Sequence, residues 1–94
     1  MIDLDRLDVV HNVAENQFEI ALGEETAVVR YTIHQGKMSF LHTGVPVAYR
    51  NQGIAAKLVQ TSLDYARDQK LQVVPLCSYV AEFVQAFPDY QQLL

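Results

Sequence analysis

The chain has 94 residues, half of them apolar and 19% charged, which suits one globular domain over residues 1–94 rather than a disordered or fibrous polymer. A net charge of −4 argues against a protein that grips nucleic acid by neutralising phosphates. The single cysteine, Cys77, excludes a disulfide framework and a multi-cysteine zinc cluster, and the histidines (His11, His34, His42) lack the i, i+4 spacing of a helical metal site. No metal is expected.

Charge is unevenly spread. Residues 1–47 hold three Lys/Arg against seven acids, whereas residues 48–94 hold four of each. The first half cannot be a phosphate surface, but a cationic spot near Arg50 and Lys57 remains. No run of 18 apolar residues occurs, and Ile2-Asp3-Leu4-Asp5 lacks the basic-then-apolar pattern of a secretory signal, so a cytoplasmic protein away from membranes is expected.

Met1 to Asn16 is the least structured stretch, with Val9-Val10 its only β-like pair. From Gln17, Phe18, Ile20 and Leu22 alternate with Glu19 and Ala21, the period-two signature of a half-buried strand, which Gly23-Glu24-Glu25 turns. Thr26 to His34 is rich in β-branched and aromatic residues and reads as a second strand. Gln35-Gly36-Lys37 turns the chain, and Met38 to Val45 reads as a third strand that Pro46 stops. Short turns between three consecutive strands predict an antiparallel meander.

After Pro46 the period changes. Ala55, Leu58, Val59, Leu63 and Ala66 fall at helical spacing, predicting an amphipathic helix over Gly53 to Gln69. Leu71 to Leu76 is a short apolar run, read as a buried strand reached by a right-handed crossover. Ser78 to Phe87 reads as a helix and Pro88 to Leu94 as a final short helical turn. The predicted fold class is α+β: antiparallel meander, crossover helix, parallel strand and C-terminal helix.

The stretch between the third strand and the first helix carries the chemistry. A helix start leaves up to four backbone N–H groups unpaired and bears partial positive charge, which acids in the first turn commonly offset. Here the first helical acid is Asp64, some three turns in, and Arg50 and Lys57 flank the start instead. Gly53 would let an anion approach the backbone closely, a pattern suited to a pyrophosphate. The competing reading is that Asn51 caps an ordinary packing helix.

Arg50-Asn51-Gln52-Gly53-Ile54-Ala55 resembles the R/Q-x-x-G-x-G/A signature of the GNAT superfamily of acetyl-CoA-dependent N-acetyltransferases. From about Val10 to Leu94 the chain looks most like the very small, stand-alone members of that superfamily. Their His-Thr-Glu-Val-Pro pattern appears here as His42-Thr43-Gly44-Val45-Pro46, and their Pro-x-Cys as Pro75-Leu76-Cys77. The resemblance implies acetyl-CoA as cofactor and an amine-bearing small molecule or peptide as partner. Backbone N–H groups of Gln52, Gly53, Ile54 and Ala55 would hold the pyrophosphate, with Arg50 and Asn51 shaping the approach. Val45 and Val47 would pair with the pantetheine arm where the two flanking strands splay apart, and any side chain at position 53 would obstruct the phosphates.

Gly44 replaces the glutamate that would serve as base. His42 is the first substitute, since an imidazole titrates near neutral pH and strand parity with Phe40 and Gly44 sets it on the face of the missing carboxylate. A packed strand histidine fits the same residue. Cys77 could accept acetyl covalently if a helix start lowered its pKa, or be a small buried hydrophobe. Tyr79 could protonate the departing thiolate, or pack as an aromatic. Three functions therefore stand open: an amine acetyltransferase, a non-catalytic CoA binder, and an interaction module on the same fold. Pairing of copies through an open sheet edge is compatible with each.

Overall fold

A computed structural model describes residues 2–94. Five strands form one sheet in sequence order: β1 (Val9–Asn12), β2 (Gln17–Leu22), β3 (Glu25–His34), β4 (Lys37–Gly44) and β5 (Gln72–Pro75). The first four are antiparallel neighbours, and β5 runs parallel to β4. Helix α1 (Ile54–Asp68) makes the crossover, α2 (Ser78–Ala86) follows β5, and 3-10 turns cover Leu4–Arg6, Val47–Tyr49 and Pro88–Leu93. This is the α+β architecture that the periodicities predict.

The first segment departs from expectation. Val9–Asn12 is a fourth antiparallel strand at the sheet edge, pairing His11 with Phe18 and Val9 with Ile20. Four residues ending in His-Asn carry little β signal; the strand is fixed by what its histidine touches. His11 stacks on Phe18 with ring centroids 4.0 Å apart, meets the edge of Tyr65 at 4.6 Å, and shares a 2.5 Å hydrogen bond between its Nε2 and the Tyr31 hydroxyl. The imidazole is used as an aromatic lid on the core.

Both helices cover the same face of the sheet. Leu58, Val59, Leu63 and Ala66 of α1 and Val80, Phe83 and Val84 of α2 close over Ile20, Val29, Met38 and Phe40, all buried. Ser62, buried on the same helical stripe, donates its hydroxyl to the Leu58 carbonyl at 2.7 Å and leaves no orphaned polar group. The opposite face carries Val28, Arg30, His42 and Gly44 and has no layer over it. At the β3–β4 hairpin, Gln35 and Gly36 both take positive φ (51° and 75°), as a two-residue primed turn requires.

A bulge decides which side chains reach which face. Tyr31 pairs with Phe40 but Arg30 pairs with His42, so Leu41 is an extra residue without a partner. Before it, Met38 and Phe40 face the core; after it, Thr43 faces the core opposite Val29, while His42 and Gly44 face outward. The expected shared parity of His42 with Phe40 is therefore overturned, whereas that of His42 with Gly44 holds. Pairing of β4 with β5 ends at Phe40 and Pro75, closed by a 2.9 Å bond from the Cys77 N–H to the Phe40 carbonyl. Beyond that point Leu41–Gly44 has no strand on its β5 side, while β3 continues along the other edge.

Candidate active site

The unpaired end of β4, the start of α1 and the start of α2 enclose a cleft of about 790 Å³. Of the residues singled out in the sequence, His42, Val45, Arg50, Asn51, Gly53, Ile54, Ala55 and Tyr79 line it. Val47, Gln52 and Cys77 stand outside its lining.

At the mouth, α1 begins without an acid in its first turn and without a side-chain cap. Gly53 occupies the capping position at φ 89°, and Asn51 also takes a left-handed conformation (φ 63°) rather than capping the helix. The first-turn N–H groups have no intrahelical acceptor. Backbone donors, an uncompensated helix start and a glycine suit an anion such as a pyrophosphate. The Arg50 guanidinium bends back so that its Nε donates to the Val45 carbonyl at 3.0 Å, and the Arg50 N–H donates to the Val47 carbonyl. Val47 itself is 76% exposed.

Lys57 is not at this mouth. Its ammonium donates to the carbonyls of Leu4 and of Leu7 (2.6 Å for the latter), on the other side of the helix start. The expected Arg50–Lys57 cationic pair is thus reduced to Arg50. The Gln52 side chain also turns away, accepting from the Ile2 N–H at 3.3 Å.

Deeper in the site, Cys77 caps α2 as a half-buried free thiol, its Sγ 3.6 Å from the Thr43 hydroxyl. Burial alone would raise its pKa. Hydrogen bonding to Thr43 and to the backbone of Val80 and Tyr79 outweighs burial, and the thiol titrates below its ordinary value. Thr43 lines the cleft, so the sulfur lies one hydroxyl behind its wall. Tyr79 is 37% exposed, and burial of its ring pushes the phenol above its ordinary value.

Sequence reasoning missed Glu25, Thr26, Val28 and Tyr49, which also line the cleft. The available signal was the hairpin register: counting back from the Gln35-Gly36 turn brings Val28 opposite Gly44 once the extra residue is allowed for. Tyr49 comes from the 3-10 turn after Pro46, a segment without helical or strand periodicity.

The family pattern described as GCN5-related N-acetyl-transferase matches residues 17–93. Protein NATD1 of Danio rerio is 33% identical over 91 residues, spanning 94% of this chain and 83% of the relative. Protein NATD1 of Bos taurus is 35% identical over 89 residues, spanning 90% and 78%. The solution structure of a GCN5-like protein from Staphylococcus aureus superposes with a TM-score of 0.75 at 26% identity, covering 93% of this chain and 86% of that one. In sequence, strand order and the turn that opens α1, the chain belongs to the GCN5-related N-acetyltransferase family, among its small stand-alone GNAT-like members.

Proposed function

We propose that the chain is an acetyl-CoA-dependent N-acetyltransferase, one GNAT-like domain over residues 1–94, acting on a primary amine of a small molecule or peptide. The observation that carries this reading is the uncapped, acid-free start of α1 facing the cleft at the unpaired end of β4. Backbone N–H groups of Gln52, Gly53, Ile54 and Ala55 hold the pyrophosphate, and Arg50 and Asn51 shape its approach. The carbonyls of Val45 and Val47 already accept from Arg50, which leaves their N–H groups for the pantetheine arm.

Acetyl-CoA supplies the activated thioester. His42 accepts the proton that the amine loses on attack, and Tyr79 holds the proton that the departing thiolate takes. The raised pKa of Tyr79 keeps that proton in place at neutral pH. His42 then returns a proton to Tyr79 through solvent, so the cycle closes with an amide, a free thiol and both residues in their starting states. Cys77 offers a covalent variant: Sγ takes the acetyl group as the first thioester breaks, and the amine then forms its amide as the second breaks.

A second reading, a CoA-binding protein without transferase activity, is favoured by Gly44, which supplies no proton acceptor where the family resemblance implies a carboxylate. Calorimetric titration with acetyl-CoA and CoA, followed by an intact mass of the acetyl-CoA sample, separates these readings. Micromolar binding supports the cofactor assignment. A one-acetyl mass gain that disappears in Cys77→Ala supports the covalent route, and absence of binding overturns both readings.

A further inference from the structure

The N-terminal segment and α1 are tied together directly behind the proposed phosphate-binding turn. Lys57 donates to the carbonyls of Leu4 and Leu7, the Ile2 N–H donates to the Gln52 side chain, and Leu4 packs where a Gly53 side chain would lie. A Cβ built on Gly53 would come within 2.9 Å of Leu4 Cδ1. Between Arg50 and Ile54 the chain takes two left-handed residues in three positions, Asn51 and Gly53. Asn51 takes that conformation without glycine's freedom, so its surroundings help to hold it there. In front of this turn is the open cleft; the contacts that can impose its shape come from behind.

We infer that residues 2–7 are a brace that pre-forms the phosphate-binding turn, with Lys57 as the positioning residue that locks the brace in place. Among the described residues Lys57 forms no salt bridge, and both of its acceptors are carbonyls around the Leu4–Arg6 turn. Its charge is thus committed to holding that turn against the helix. A site held ready binds more tightly than one that must be ordered by its ligand, because apparent affinity scales with the fraction of molecules already competent. This inference rests on the reading of the 50–55 turn as a cofactor site.

The test uses Lys57→Met, which keeps the apolar stem, and Leu4→Ala, which removes the packing contact. Backbone 15N relaxation without ligand should show order parameters at Gln52–Ala55 falling from about 0.85 toward 0.6 or below, while β3 and α2 stay rigid. Acetyl-CoA should bind about tenfold more weakly to each variant, the factor expected if roughly one molecule in ten retains the formed turn. S-acetylpantetheine, which lacks the pyrophosphate, should bind as it does to the wild type. An unchanged relaxation profile overturns the brace, as does an equal loss of affinity for both ligands. Loosened order parameters in the variants, together with a wild type that binds no acetyl-CoA, would instead overturn the cofactor reading and leave the mechanical tie standing.

Discussion

His42 and Gly44 stand side by side on the uncovered face of β4, so close that a Cβ on Gly44 would lie 3.0 Å from His42 Nε2. The family resemblance implies a carboxylate at position 44, where here the His42 imidazole partly takes the space. Gly44→Glu would place a carboxylate beside His42, at the cost of moving an exposed ring by a few tenths of an ångström. The expected outcome is faster acetylation of a small primary amine, on the order of 10²-fold if a missing general base limits the rate. Stability should change by no more than about 1 kcal/mol, since Gly44 is half-buried and the exposed His42 ring can shift to make room. Initial rates with acetyl-CoA and a panel of amines, together with thermal unfolding, provide the check; a flat rate places the limit elsewhere.

Cys77 should alkylate with a pH midpoint below that of an ordinary thiol, because hydrogen bonds from Thr43 and from the start of α2 outweigh the effect of burial. Thr43→Val removes one of those bonds and should move the midpoint upward, leaving the thiolate fraction smaller at neutral pH. Iodoacetamide rates between pH 5 and 10, read by mass spectrometry, measure both. Equal midpoints would show that the Thr43 hydroxyl does not support the thiolate.

Gly53→Ala should destabilise the fold by roughly 1–3 kcal/mol, since the variant would hold a left-handed backbone with a side chain pressed against Leu4. Gly53→Ala combined with Leu4→Ala should recover the steric part only. Denaturant midpoints of the two single variants and the double variant resolve the terms. A consequence follows for binding studies: lost CoA affinity in a Gly53 variant reports a deformed turn as well as an obstructed phosphate, so the sequence-based rationale for that substitution is incomplete.

His11 favours its neutral form in the folded protein because burial lowers its pKa. The unfolded chain then binds the proton more readily. The contribution of His11 is present in full above the usual histidine value of about 6.5 and is lost as pH falls through the lower folded value. His11→Phe keeps the stack on Phe18 and cannot titrate, so its stability should fall less than that of the wild type between pH 7.5 and 5. Urea midpoints at the two pH values measure the difference; parallel losses would assign the acid sensitivity to carboxylates.

The elements with a clear period were legible from the sequence: β2 through its alternation, β3 through its β-branched run, and α1 through the Leu58, Val59, Leu63, Ala66 stripe. So was the turn between β4 and α1, because its glycine and missing acid are local facts. What escaped notice was long-range. β1 is held by the contacts of His11 with Phe18, Tyr31 and Tyr65, none of which leaves a mark in four residues of sequence. The orientation of Lys57 depends on a segment 50 residues earlier folding back across α1. The Cys77–Thr43 contact joins positions 34 apart, so Thr43 gave no sign of its role.

The unpaired Leu41 makes β4 a strand whose length is counted in single residues. Were it to pair with Arg30 in regular alternation, everything downstream would change face: His42 would turn toward the helices, and Thr43 would leave Cys77 for the open side. Deleting it instead sets His42 directly after Phe40 and keeps those faces. The segment should therefore accept many substitutions, and the loss of this one residue, without changing which side chains face Cys77. A deletion of Leu41 should keep cooperative unfolding at a modest cost in stability, as should Leu41→Ala at this half-exposed position; loss of the cooperative transition in the deletion would show that the bulge itself is required.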